Sequence, residues 1–184
     1  KKNSNSTVVS LDSLLLKQNL PSGKVLIFDD DHYYIGPVIA LYLVQKGYDV
    51  SFVTPAGRCG QWSYYTEELY QSNAELINSG VKIFTNNNLL EIKSDSVILS
   101  CIFSGKTQNV TADWIVPITR REPRDKIFNE LKSLYDYKSL KLNSLIKIGD
   151  CEAPGIIASA IYSGYKAGIE LGKNSIKSPS YNNL

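Results

Sequence analysis

The chain has 184 residues, 43% of them hydrophobic, which is enough for one well-packed domain or for one domain and part of a second. Its formal charge of +2, from 20 basic and 18 acidic residues, excludes the large field that recruits nucleic acid or an anionic membrane, so no partner of either kind is expected. The three cysteines, Cys59, Cys101 and Cys151, lie far apart without the close pairs of zinc or iron–sulfur sites, and are expected as reduced thiols of a cytoplasmic protein.

No apolar run approaches the roughly 20 residues that span a bilayer, and Lys1-Lys2-Asn3-Ser4 lacks the apolar core of a signal peptide. The lack of any methionine leads us to expect a fragment of a longer chain. Residues 1–23 read as a lead-in linker, with a short helix over Leu11 to Gln18 capped by Ser10 or Asp12 and broken at Pro21-Ser22-Gly23.

From Lys24 to Phe28 the chain is almost continuously apolar, the pattern of a strand buried on both faces of a parallel sheet. Gly36 to Gln45 is apolar nearly all round and ends at Gly47, which predicts a buried helix with a glycine cap. Val50 to Val53 completes a strand–helix–strand unit of about 30 residues, hence a parallel sheet. Tyr65, Leu69, Leu76 and Ile77 predict a second helix, with Glu67 and Glu68 in its first turn and a stop at Asn78-Ser79-Gly80.

Val81 to Phe84 is expected as the third strand. Leu89 to Ile92, Ser96 to Phe103 and Gln108 to Ala112 follow as an antiparallel meander, with turns at Ser94-Asp95 and Gly105. Trp114 to Ile118 is another buried strand, and Ile127, Phe128, Leu131, Leu134 and Tyr135 make an amphipathic helix after Pro123. A last strand, Leu145 to Ile148, runs into Gly149-Asp150. Pro154 then opens a helix to about Leu171, rich in the small residues Ala158, Ala160, Gly164, Ala167 and Gly168. The fold class is α/β: a three-layer, Rossmann-like domain with a central parallel sheet and an inserted antiparallel meander, of the type that binds FAD or NAD(P).

In such a sheet the first strand ends in G-x-G-x-x-G, because the backbone must approach a pyrophosphate and aim its amides at it. Here Asp29, Asp31 and Tyr34 hold the three glycine places, and the one nearby glycine, Gly36, falls two residues late. Two carboxylates beside a diphosphate repel it by about 1 kcal/mol per pair at 4 Å in bulk water, and by more where water is excluded. The second strand ends in Thr54-Pro55 without the acid that reads a ribose hydroxyl, although Arg58 has the charge to meet a 2′-phosphate.

The cluster Asp29, Asp30 and Asp31 reads first as a cap on the following helix. An acidic strand end also has the look of a receiver module holding Mg²⁺, yet Val81 to Thr85 runs into Asn86-Asn87-Asn88 where a receiver carries its phosphoacceptor aspartate. His32, the single histidine, is read as a hydrogen-bonded structural residue, with proton carrier or metal ligand as the functional alternative. Trp62, Tyr64 and Tyr65 either pack on the domain edge or form an aromatic docking surface. No nucleophile with a partnering base is found, so no catalytic residue and no metal ligand is assigned.

The stretches "GKVLIFDDDHYYIGPVIALYLVQKGYDVSFVTPA" and "KIGDCEAPGIIASAIYSGYKAGIEL" together resemble the C-terminal region of the trimethylamine/dimethylamine dehydrogenase family, within the NADH:flavin oxidoreductases, over most of residues 11 to 171. The resemblance implies a parent with an N-terminal barrel carrying FMN and a 4Fe-4S cluster, followed by an FAD-like and an NAD-like domain. Residues 24–139 would be the NAD-like domain, 140–172 the closing strand and helix of the FAD-like domain, and 173–184 a flexible tail. By the same resemblance Gly149, Asp150, Ala153 and Pro154 lie where ADP or FAD is held, Asp150 offering an acceptor to a sugar hydroxyl.

Nothing in the chain matches the family's flavin, amine or cluster residues, so no cofactor is expected to be held firmly by this chain alone. Its partners would be the remaining domains of a homo-oligomeric flavoenzyme and an electron-carrier protein. The expected role is therefore noncatalytic, structural or docking, within an amine dehydrogenase or demethylase. The alternatives are an NAD(P)H-accepting reductase domain feeding electrons to a flavin, and the receiver-like Mg-binding module.

Overall fold

A computed structural model describes residues 7–16, 20–136 and 144–171. The chain divides into two compact units, Lys1–Arg120 and Arg121–Leu184. The division falls ahead of the helix that the sequence reading placed in the 24–139 domain, and the 139/140 boundary itself lies outside the described residues.

The first unit is built on a five-stranded sheet. Its strands are β1 (Thr7–Val8), β2 (Val25–Asp29), β3 (Val50–Val53), β4 (Lys82–Phe84) and β8 (Trp114–Ile118), in the order β1-β8-β2-β3-β4, all parallel. The meander β5 (Asn87–Ile92), β6 (Ser96–Cys101) and β7 (Thr107–Thr111) forms a separate antiparallel sheet, with a bulge between Leu89 and Glu91. Three helices complete the unit: α1 (Leu11–Leu16), α2 (Ile35–Gln45) and α3 (Leu69–Asn78).

Alternation along the parallel strands sorts the core into two layers. Val25, Ile27, Val50, Phe52, Trp114 and Val116 pack with Leu14 of α1, Ile39, Ala40 and Leu43 of α2, and Leu76 of α3. Leu26, Val53 and Ile115 face the other way and pack with Val97 and Leu99 of the meander. The three-layer reading is therefore correct in its particulars: helices cover one face of the sheet and the meander covers the other.

Four expectations change. Residues 7–16, expected within a lead-in linker, carry the edge strand β1 in register with β8, and Leu14 of α1 is fully buried. The helix α2 is not buried all round, because Val38 and Tyr42 remain exposed while Ile39, Ala40 and Leu43 face the sheet. The helix expected from Tyr65 instead starts at Leu69. Gln61–Thr66 is a 3-10 turn, and Glu67 takes a left-handed φ of 63° that an α-helix does not accommodate. Finally, Leu145 to Ile148 is not a strand among the described residues, since a strand requires a hydrogen-bonded neighbour.

The second unit holds α4 (Lys126–Asp136), a 3-10 turn at Gly149–Cys151, and α5 (Ile157–Glu170). Lys147 Nζ donates to Asp125 Oδ2 at 3.1 Å and lies 5.2 Å from the centroid of the Phe128 ring. Its hydrogen bond holds the Asp125 carboxyl below the usual carboxylate range. On α5, Ile157, Ile161, Tyr165 and Ile169 recur every four residues and all are exposed. Among the described residues, no helix is long and apolar enough to cross a membrane.

Candidate functional site

Strand order advances from β2 through β3 to β4 on one side and from β8 to β1 on the other, so the chain reverses its direction of travel between β2 and β8. In open parallel sheets ligands bind at such a switch point, in the crevice outside the carboxyl ends of the strands. Here those ends are Asp29 and Ile118, paired in register, and Asp30 N–H donates to Ile118 O at 2.8 Å.

Asp29 does not face the crevice. It is 0% exposed, and its parity with Val25 and Ile27 turns its carboxyl toward α2. Oδ1 accepts the amides of Asp31 and His32, each at 3.2 Å, closing a tight turn on the strand end. The helix that follows has Tyr34 as its N-cap and no side-chain cap, so the expectation that the aspartates cap α2 is corrected: Asp29 caps its own loop. A carboxylate spends its acceptor on the nearest free amides, and those of Asp31 and His32 come before the helix begins.

Oδ2 of Asp29 is buried without a hydrogen-bond partner among the described residues. Burial lifts this carboxyl to about 7, the amides of His32 and Asp31 opposing the rise and the charges of Asp31 and Asp30 adding to it. Gly36 sits directly beneath: a Cβ there would stand 2.8 Å from the Asp29 carboxyl and 3.0 Å from the Phe52 ring. The strand-end acid and the late glycine are thus one packing device.

The rest of the loop is fastened across to the segment after β3. His32 takes a left-handed φ of 63°, and its carbonyl accepts the Trp62 amide at 2.8 Å. His32 Nε2 lies 3.4 Å from Asp30 Oδ1, while Nδ1 is buried without a partner among the described residues. Gly60 is required where the two segments meet, since a Cβ there would come within 2.9 Å of Tyr33 O and 3.0 Å of Pro37. Cys59 is fully buried, and burial, with the Asp29 charge adding, pushes its thiol up to about 12, which leaves it unreactive. Asn73 holds that turn from α3, accepting Cys59 N–H at 3.3 Å and donating to Cys59 O at 2.9 Å. Sequence reasoning did not single out Cys59, Gly60 or Asn73 as parts of one clamp.

Asp29 turns inward, and Asp30 Oδ1 lies beside His32 Nε2. Among the described residues no group of three or more His, Cys, Asp or Glu could hold a metal ion. The loop after β2 is fastened at both ends, its Asp31 and His32 amides on Asp29 and its His32 carbonyl on the Trp62 amide. The aromatic residues lie exposed rather than packed on the edge. Trp62 and Tyr65 stack with ring centroids 5.8 Å apart, and with Gly57, Arg58, Gln61 and Tyr70 they line a pocket of about 550 Å³.

In the second unit, Gly149, Asp150, Ala153 and Pro154 form one compact turn. Gly149 has φ 58° and its carbonyl accepts the amides of Glu152 and Ala153 at 2.9 and 3.0 Å. Its own amide donates to Ser163 Oγ at 2.7 Å, fastening the turn to α5. Asp150 Oδ1 accepts the Gly155 amide at 3.4 Å.

Sheet order and meander together define a dinucleotide-fold-like α/β module, an open parallel sheet with an antiparallel meander on one face. No family model matches the chain. It is 24% identical over 187 aligned residues to dimethylamine dehydrogenase of Hyphomicrobium sp. (strain x), taking in 88% of this chain and 25% of that protein. Its fold matches histamine dehydrogenase from Rhizobium sp. 4-9 with a TM-score of 0.84 at 29% identity, over 97% of this chain and 26% of that one. For 6-hydroxypseudooxynicotine amine oxidase (HisD) from Pseudomonas geniculata N1 the TM-score is 0.82 at 30% identity, over 90% of this chain and 24% of that one. The chain is homologous to a domain-sized part of the trimethylamine/dimethylamine dehydrogenase family. It spans about a quarter of the length of the relatives it matches.

Proposed function

We propose that the chain is the C-terminal, nucleotide-binding-like part of an FMN and 4Fe-4S amine dehydrogenase or demethylase, and that it serves that parent as a noncatalytic structural or docking element. The observation that carries this reading is the buried Asp29 carboxyl packed on Gly36, at the point where a dinucleotide needs open backbone. In the parent, FMN and the cluster would supply the oxidation of the C–N bond; the residues of this chain supply shape.

The exposed row Ile157, Ile161, Tyr165 and Ile169 supports a role beside other domains, because a contiguous apolar face of this kind marks an interaction surface. The turn Gly149–Pro154 is the segment we assign to an ADP or FAD of the parent, with the second oxygen of Asp150 as the acceptor for a sugar hydroxyl. Without the other half of that site the chain is expected to hold neither nucleotide tightly.

Calorimetric titration of the chain with NADH, NADPH, ADP and FAD tests the proposal. Heats indistinguishable from dilution for both nicotinamides are expected. Micromolar binding of either one would instead support a reductase domain that feeds electrons to a flavin.

A further inference from the structure

Two irregular segments, one after β2 and one after β3, meet beside a buried acid. Asp29 Oδ2 has no partner among the described residues, on a side chain that is 0% exposed. Such an oxygen accommodates the neutral acid and opposes the ion, because an unpaired charge is far costlier to bury than a protonated carboxyl. The groups around it offer little compensation. Its own loop brings the charges of Asp31 and Asp30 and, beside Asp30, the His32 imidazole. The facing segment brings the Cys59 thiol, whose ionisation the Asp29 charge opposes. From α2, β3 and β8 come Gly36, the Phe52 ring and Ile118, none of them titratable. No lysine or arginine is among these groups.

A charge formed there must draw in water, and the surroundings decide which side yields. On the sheet side β2 is hydrogen-bonded along both edges, to β3 and to β8. On the loop side the seam is held by the Trp62 amide on His32 O and by the close fit of Gly60 beneath Tyr33 O. The loop is also under strain: His32 keeps a left-handed φ of 63°, and the Asp29 carboxyl holds it there through the His32 amide. Irregular segments fastened by few bonds open at a lower free energy than a sheet paired on both edges.

We infer that the two segments form a proton-operated latch: the protonated Asp29 carboxyl keeps them shut over Cys59, and loss of its proton parts them, letting water reach carboxyl and thiol. The rise of this carboxyl to about 7 on burial has the sense the latch requires. In the open form the carboxyl meets water and returns to its ordinary 3.8. Opening therefore becomes easier as pH climbs from about 4 to about 7, and levels off above. The latch does not rest on the noncatalytic reading, and failure of either leaves the other standing.

The test measures how fast a dipyridyl disulfide, which thiols attack even in acid, reaches Cys59 in the full chain carrying Cys101→Ser and Cys151→Ser. Dividing the rate for the urea-unfolded chain by the native rate at the same pH cancels the thiol's own pH dependence and gives its protection. That protection is expected to fall on the order of a hundredfold between pH 5 and pH 8. At pH 8 it should be insensitive to low urea, because a local opening exposes little surface. Asp29→Asn, which keeps an acceptor for the loop amides without the titration, should flatten the fall, and His32→Gln should preserve it. Constant protection in the parent chain, an equal fall in Asp29→Asn, or no fall in His32→Gln overturns the latch. So does protection at pH 8 that drops with urea as steeply as global unfolding, a reading that needs no change at Asp29.

Discussion

Asp29 ties the stability of the first unit to pH. Its folded carboxyl titrates at about 7 against an ordinary 3.8, so the native state keeps a proton that the unfolded chain has already released. The stabilisation from this group is complete below about 3.8 and is lost as pH rises through about 7, each pH unit in that window removing about 1.4 kcal/mol. Asp125 acts in the opposite sense at lower pH, since its carboxyl is held below the usual range by Lys147. Asp29→Asn keeps an acceptor for the amides of Asp31 and His32 without the titration. Urea unfolding at pH 5 and pH 8 should then show the wild type losing on the order of 2–3 kcal/mol on going to pH 8. The variant should lose much less; parallel losses in both would remove Asp29 as the cause.

The same residue shows what could be read in advance. Replacement of the glycine fingerprint was visible at once, and so was the dinucleotide fold behind it. The inward turn of Asp29 was not noted, although strand parity carried it: residues 25, 27 and 29 share a face, and that face belongs to the helices. The bond from Trp62 N–H to His32 O had no sequence signal, because it joins two irregular segments whose pairing depends on the finished sheet.

At the scale of elements, the contact between β2 and α2 is the tightest part of the site. Gly36→Ala gains about 1 kcal/mol of helix propensity and is nonetheless expected to destabilise by about 1–3 kcal/mol net, because the new methyl meets the Asp29 carboxyl and the Phe52 ring. In an Asp29→Ala background the same change should cost much less, a non-additivity that a double-mutant cycle in urea would measure. Additive costs would show that the close approach is relieved elsewhere.

Elements with strong periodicity were legible to within a residue or two: β2, α2, β3, the three meander strands and β8; α5 begins at Ile157, three residues after the expected Pro154. The misreadings lie where periodicity is silent about partners. Leu145 to Ile148 has the composition of a strand but no neighbour to pair with among the described residues, and Thr7–Val8 has only two residues of pattern but finds the edge of β8. The start of α3 was misplaced because Glu67, acidic and close to an apolar repeat, has the composition of a first helical turn while its φ of 63° prevents one.

On the scale of the whole chain, the two units differ in how fully they bury their apolar residues. The first has two layered clusters, whereas no residue of α5 is buried. This contrast is what the proposed remaining domains of a parent would resolve. Ile161→Lys with Tyr165→Lys should shift the unfolding free energy of the chain by less than about 0.5 kcal/mol, the usual range for exposed positions, and should lower binding of an apolar dye. A loss of several kcal/mol would mean that this face is covered within the chain itself.

The strand order has a consequence for the timing of folding during synthesis. β2 has one neighbour, β3, available early, but its other neighbour, β8, is separated from it by more than 80 residues of chain, and among the described residues β1 pairs with β8 alone. The hairpins β5–β6–β7 can close locally as they leave the ribosome. Thr7, Val8 and one edge of β2 must wait until Trp114–Ile118 has emerged, so the nascent sheet stays open at its centre for several seconds at about 5–20 residues per second. A nascent chain paused before Trp114 therefore displays, to any chaperone nearby, the strand edges that the finished domain hides.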